Sequence, residues 1–295
     1  MTTVFCRGTS GRYQFIEKLR ADIKVTRLLD YFDVSKSGYY DWRERQPSFR
    51  ALEDVELKNK IQQIFTENKG RYGSPRIFKA LQKQGYRIGK KRVERLYREL
   101  GLVARVMRVT TRSAFYKRFL AGGENLRPHG EVPLAKDKVW VADVTYLKVK
   151  GAWRYLSVIM DLYSRRIISW SLDKKRTMDV TKRTLQNAIK KRKPQGDLML
   201  HTDRGMEYRG HVYQAALKRE GIVHSLSRAG KCTDNAHMES FFHSMKVEVI
   251  RGNVFKSDKE LRGTLGSYIN KYYNVSRMHS GINYCSPMEY EAIAT

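Results

Sequence analysis

"LMLHTDRGMEY", residues 198–208, is the stretch whose reading decides the fold. An apolar run from Leu198 to Leu200 continues through His201 and Thr202, reaches Asp203 and Arg204, and is broken at Gly205. A buried strand that ends on a carboxylate needs a reason: Asp203 is a turn residue, or something positive lies beside it. Two more acids stand among apolar neighbours. Asp143 sits mid-strand between Ala142 and Val144, and Glu239 opens a helix between Met238 and Phe241. A carboxylate in such surroundings is expensive unless it is paired or ligates a metal. Taken alone, Asp203 before a glycine reads as a turn residue. Three such acids on two strands and a helix read as converging hard-oxygen ligands, a set suited to Mg²⁺ with Mn²⁺ as a substitute. Two ions held this way would activate a hydroxyl and stabilise a leaving oxygen in phosphoryl transfer.

The surrounding pattern predicts a mixed α/β domain. "VWVADVTYLKV" (139–149) alternates as a long strand, and "WRYLSVIMDLYSRRIISWSL" holds two more about a turn at 163–165. A helix over 177–192, the strand at 198–202, a helix near 211–220, a strand in "IVHSLS", and helices over 237–250 and 258–273 complete it. Asp161, before the turn, reads as structural. Asn235 is expected to cap or orient the helix that carries Glu239. His201 and His237 flank the acids and read as local hydrogen-bonders. His243 and Lys246 fall on the Glu239 face of that helix, which places Lys246 as a candidate contact to the substrate strand.

Upstream, the texture is helical and basic. Residues 1–70 include "VTRLLDYFDVSKSGYYDWRE" (25–44), a helix, a turn with a serine cap and a helix, so a candidate helix-turn-helix. An amphipathic helix follows over 51–67, with Leu52, Val55, Ile61, Ile64 and Phe65 near one face. Residues 71–102 give a second basic helix-turn-helix, with Ser74 as cap, Pro75 starting the first helix, and Gly85 and Gly101 as stops. Its second helix carries Arg92, Arg95 and Arg98, the candidate DNA contacts. Residues 103–137 read as a basic linker, and 138–295 as the catalytic unit with a helical tail.

Composition points to the same partner. The chain of 295 residues has 58 Lys and Arg against 30 Asp and Glu, a formal charge of +28. Residues 71–130 alone hold 16 Lys and Arg against three acids. Such a surplus implies a polyanion, and with no apolar run near the ~20 residues of a spanning helix, double-stranded DNA fits better than a membrane. Cys6, Cys232 and Cys285 are too few and too scattered for a disulfide framework or a zinc site, as expected of a reducing cytoplasm.

Thirty-five residues separate Asp203 from Glu239, in the order Asp, Asp, Glu. Together "WVADVTYL", "DLYSRRIISWSL", "HTDRGMEY" and "CTDNAHMESFF" resemble the integrase core of bacterial insertion-sequence transposases, a core similar to that of retroviral integrase. "YGSPRIF…LYRELGL" resembles the helix-turn-helix segment that precedes it, and "RMHSGINYCSPMEY" its C-terminal end. The resemblance spans roughly residues 25–291. It implies a ribonuclease-H-like fold, a mixed five-stranded sheet with helices after an all-α region, with Asp143, Asp203 and Glu239 as catalytic, metal-binding triad. It also implies cleavage at element ends, direct attack of the 3′-OH on a phosphodiester, a joined-end or circular intermediate, and a homo-oligomer on DNA. A bacterial cytoplasmic setting and an upstream-frame DNA-binding partner belong to the same expectation. The chain departs from the family's "HSDQGSQY"-like string at Thr202, Arg204, Met206 and Glu207, and Met278 replaces a common proline. The rival readings are a catalytically inactive DNA-binding regulator descended from a transposase, and a nuclease on the same fold.

Overall fold

A computed structural model of the chain describes residues 8–105, 124–127, 132–228 and 235–293. Helices α1 (Gly8–Leu19), α2 (Val25–Tyr31) and α3 (Lys36–Glu44) close on Ile16, Leu28, Leu29 and Tyr39. The expected pair over 25–44 is present, α1 packs on both members, and Ser35 caps α3 by accepting from the Gly38 N–H at 2.9 Å. A separate core of Leu57, Ile61, Ile64, Ile77, Leu81, Val93 and Leu96 unites α4 (Phe49–Glu67), α5 (Ser74–Lys83) and α6 (Lys90–Glu99). The division expected at residue 70 falls inside this core, because α4 packs on α5 and α6.

Two local expectations change. Leu52 and Val55 are 57% and 59% exposed. The start of α4 meets α6 through its acidic side, Glu53 and Asp54 on Arg92 and Arg95, so its apolar side turns outward. Ser74 makes no cap: Gly73 holds the cap position and Ser74 is already helical. Gly85 (φ +88°) and Gly101 (φ +62°) do terminate their helices, each in the left-handed region that a Cβ disfavours.

The second half is one sheet in the order β3-β2-β1-β4-β5. Strands β1 (Val139–Val149), β2 (Ala152–Asp161) and β3 (Ile167–Asp173) form an antiparallel meander, and β4 (Met199–Thr202) and β5 (Val223–Leu226) run parallel to β1. Helix α7 (Met178–Arg192) makes the crossover from β3 to β4; α8 (Met206–Arg209) and α9 (His211–Arg219) lead to β5. Alternation along β1 sends Trp140 and Ala142 to one face, with Leu185 and Tyr213. Val141 and Leu147 go to the other face, against α10 (Ala236–Met245) and α11 (Asp258–Gly266), with Phe241, Met245, Leu261 and Leu265. The helix expected over 237–250 changes register: after Met245 it continues as a π-helical turn, Lys246–Ile250. Helices α8 and α12 (Pro287–Ile293) had no counterpart in the sequence reading.

Most of the expected basic linker, residues 106–123 and 128–131, lies outside the described residues. The short piece 124–127 runs along β5, where the Leu226 N–H donates to the Glu124 carbonyl at 3.0 Å.

The helical half docks on the tail of the sheet domain. The Tyr72 hydroxyl donates to the Ser276 carbonyl and accepts from the Met278 N–H, both at 3.1 Å. Arg76 Nε donates to the Met278 carbonyl at 3.1 Å, and the Arg71 guanidinium lies 4.3 Å from the Tyr272 ring centre. The N–H used here is one that the family's usual proline lacks, so Met278 adds a hydrogen bond to the joint.

Candidate active site

The register of the parallel ladder builds the site. Ala142 pairs with Thr202, so the next residues, Asp143 and Asp203, stand side by side where β4 ends. Adjacent strands lie about 4.8 Å apart, and equal steps along both keep the two carboxylates on one face of the sheet. That is the face covered by α10. The partner that the strand end at Asp203 seemed to demand is therefore a second carboxylate.

Two acids this close cannot both be charged at low cost. Burial, then the Asp203 charge, pushes the Asp143 carboxyl up to about 8, against a bond from the Val144 N–H at 2.7 Å. Burial also raises Asp203, although it accepts from the Gly205 N–H at 2.9 Å.

A third acid joins this field, one that the sequence reading noted as a departure without giving it a role. Glu207 on α8 is buried, and its Oε1 accepts from Arg176 Nε and Nη2 at 2.8 and 2.5 Å. Its charge acts on both Asp143 and Asp203. The Glu207 carboxylate lies against Gly205, where a Cβ would come within 2.7–2.8 Å of it and oblige the carboxylate to shift. Its spacing of four residues from Asp203 was the one available signal.

Glu239 stands apart from this group. It is exposed in the first turn of α10, its carboxyl is raised by burial alone, and neither aspartate contributes. Among the described residues no three acidic, histidine or cysteine side chains surround one point. Asn235, expected to cap or orient this helix, makes no side-chain capping bond; its Nδ2 donates to the Ala142 carbonyl at 3.3 Å and so orients the start of α10 beside Asp143. Glu239 lies one turn farther along α10. His243 is half-buried another turn on, and the Lys246 ammonium sits 4.9 Å from the centre of the Tyr146 ring of β1. His201 is buried between the Ser225 and Ser227 hydroxyls at 2.9 and 3.0 Å, the local role expected of it. Asp161 is structural, accepting from the N–H groups of Asp137 and Tyr163 at 2.8 and 2.9 Å.

Comparison of the sequence with known proteins shows the family. Family models described as "Integrase core domain" match residues 133–232 and 239–293, and one described as "HTH-like domain" matches 52–109. The transposase InsF for insertion sequence IS3A of Escherichia coli (strain K12) is 36% identical over 282 residues, 95% of this chain and 98% of InsF. The chain belongs to the insertion-sequence transposases. The transposase for insertion sequence element IS904 of Lactococcus lactis subsp. lactis (strain IL1403) is 37% identical over 252 residues, 84% of this chain and 98% of the other. Among solved structures, the HTLV-2 integrase catalytic core domain in complex with magnesium is 20% identical, covers 54% of this chain and 98% of that one, and gives a TM-score of 0.39.

The transposase is thus a nucleotidyl-transferase acting on DNA, with a ribonuclease-H-like core behind a helix-turn-helix-like region. Integrase cores use divalent metal ions. The residues present fit such an ion: Asp143 and Asp203 are hard-oxygen donors whose mutual repulsion a cation between them would relieve. The fit has a measurable consequence. Asp143 is raised above its unfolded value of about 3.9, so in metal-free protein near pH 7 it keeps its proton until a cation displaces it. Cation binding at pH 7 should release close to one proton, read as a dependence of calorimetric heat on buffer ionisation enthalpy. The raised carboxyl also withdraws stability as pH climbs from about 4, and the loss is complete above about 8. Without divalent metal, Asp143→Asn should therefore melt progressively higher than the parent protein across that window. Buffer-independent heats and parallel melting curves would refute the coupling.

The expected DNA contacts divide in two. Arg92 Nε donates to Asp54 at 2.7 Å and Arg95 Nη2 to its other oxygen at 2.6 Å, with Glu53 and Glu99 completing the cluster. Those two guanidiniums hold α6 to α4. Arg98 is exposed and has no ion-pair partner among the described residues.

Proposed function

We propose that this transposase cleaves the ends of its insertion sequence and joins them to DNA by direct attack of a 3′-OH on a phosphodiester. Asp143, Asp203 and Glu239 would hold two Mg²⁺ ions, with Mn²⁺ able to substitute. The observation that carries the reading is the side-by-side placement of Asp143 and Asp203 at a strand end beneath α10. When bound, the ions supply a polarised phosphoryl group and an activated hydroxyl. The chain's own residues do the positioning. Asp143 is fixed by the rigid ladder, Asp203 by the Gly205 N–H, and Arg176 offsets part of the negative charge that Glu207 adds beside the pair.

Glu239 completes the ligand set from α10, whose start the Asn235 bond to Ala142 holds beside Asp143. Arg98 and Lys246 contact the DNA backbone, His243 supports the substrate face of α10, and two or more copies bridge the element ends inside the bacterial cell. An upstream-frame DNA-binding protein would add end recognition. No described helix is long and apolar enough to cross a membrane.

The deciding experiment incubates the full chain with duplexes carrying the inverted repeats that flank its gene. Cleavage and joining in Mg²⁺ or Mn²⁺, absent in chelator, is the expected result. Binding to the duplexes without either reaction would turn the reading to that of a regulator.

A further inference from the structure

A cavity of about 180 Å³ opens where the helical half meets the sheet domain, away from Asp143 and Asp203. Arg76 of α5, Arg165 of the β2–β3 turn, and Arg277 and His279 of the tail line it; His237, Ser240 and Ser244 of α10 form one wall. No acidic side chain is among the lining residues. Arg277 is already engaged by Glu248 at 2.8 Å, which leaves Arg76 and Arg165 without a carboxylate among the described residues. Burial, reinforced for Arg76 by Arg277 and for Arg165 by Arg127, weakens the hold of both on their protons.

Two donors in this lining are buried and unused. Arg165 Nη1 and His279 Nε2 have no hydrogen-bond partner among the described residues. The histidine's tautomer follows from its neighbour. A guanidinium can only donate, so the Arg277 Nη1 contact at 3.3 Å makes His279 Nδ1 an acceptor and puts the ring proton on Nε2. Burial and the flanking arginines keep the ring neutral, against the opposing pull of a hydrogen bond to the Tyr273 backbone. Buried donors left unpaired are costly and call for an explanation. Arg165 is also held at φ +64°, a conformation a residue with a Cβ keeps only where its surroundings impose it.

We propose that this cavity binds a phosphate oxyanion, and that the phosphate is a phosphodiester of the bound DNA. Arg165, Arg76 and His279 Nε2 take its free oxygens, and the Ser240 and Ser244 hydroxyls close the wall. The site draws on four separate parts of the chain, and Ser240 adjoins Glu239 on α10. A phosphodiester seated there fixes the strand relative to the catalytic carboxylates and ties the helix-turn-helix-like half to the core. The inference rests on the transposase reading above.

The test uses the full chain and Arg165→Asn, since asparagine tolerates the left-handed backbone. Arg76→Gln, on another element, serves if that variant does not fold, and Lys259→Ala controls for loss of one surface charge. Duplex affinity is measured against salt concentration. Loss of one phosphate contact should reduce the slope of log K on log salt by about 0.9 for Arg165→Asn, with no change for Lys259→Ala. In a second arm inorganic phosphate replaces chloride at constant ionic strength; it should raise the melting temperature of the parent protein and leave that of Arg165→Asn unmoved. An unchanged slope with selective stabilisation by inorganic phosphate would overturn the DNA source and leave a site for free phosphate. No effect in either arm would overturn the site. Failure of the parent protein to bind duplex in a salt-sensitive way would instead overturn the functional reading, and the phosphate arm then decides the cavity separately.

Discussion

Asp143→Asn, Asp203→Asn and Glu239→Gln should each abolish strand cleavage and joining while duplex binding survives. Each substitution keeps the side chain's size and removes the charge that a hard divalent ion needs. A loss on the order of 10³-fold or more is expected for an electrostatic group at a phosphoryl-transfer centre. Double substitutions should be scarcely worse than single ones, because the carboxylates act as one unit. Melting temperature without metal separates the three. Asp143 and Asp203 burden the fold through burial, and Asp143 also through its neighbour's charge, so removing either charge should stabilise it at pH 8 or above. The Glu239 carboxyl is raised by burial alone and neither aspartate acts on it, so Glu239→Gln should raise the melting temperature less than Asp143→Asn does. Substantial cleavage by any one variant would remove that residue from the site, and an equal melting shift for all three would mean that Glu239 already sits with the aspartates before metal binds.

The parts of this fold that local pattern determines were readable. The alternation of residues 139–149 defines β1, which is buried on both faces at 140–142 and alternates over 145–149, and the apolar run into Asp203 marks both β4 and its functional end. The pairing of Asp143 with Asp203 follows once those strands are neighbours. What escaped depends on contacts distant in sequence. Arg92 and Arg95 look like a basic DNA-reading face in isolation, but their counter-charge, Asp54, lies about 40 residues away on α4. The same pairing turns Leu52 and Val55 outward against the helical period. Glu207 acquires meaning only because Gly205 lets it approach and Arg176, 31 residues upstream, receives it. Met278 looked like the loss of a proline until Tyr72, 206 residues away, was seen to use its N–H. Periodicity carries no record of which distant side chain will arrive, and these are the places where that decides the outcome.

The same dependence on distant partners sets the largest stability effect expected of the transposase. Glu248, in the π-helical turn after α10, and Arg277, in the tail, form a buried ion pair with each side chain only 6% exposed. Arg277 donates through Nη2 at 2.8 Å and Nε at 3.1 Å to Glu248 Oε1, and the Tyr268 hydroxyl donates to Oε2 at 2.9 Å. Burial alone would weaken the Arg277 proton affinity, yet Glu248 reverses that and holds the guanidinium firmly charged. Glu248→Ala leaves that cation buried and unpaired, which is expected to cost about 3–5 kcal/mol. Replacing both residues by methionine removes the orphaned charge with the pair, so Glu248→Met with Arg277→Met should recover most of the loss. Denaturant midpoints of the single and double variants measure the difference, and a single-variant loss below about 1 kcal/mol would place the pair in water rather than in the core. The effect should reach the joint as well. Arg277 directly precedes Met278, whose N–H and carbonyl receive Tyr72 and Arg76, so loosening this pair frees the segment on which the helical half rests. Sensitivity to proteolysis should then rise in Glu248→Ala before the sheet domain unfolds, because the two halves lose their shared anchor while each keeps its own core.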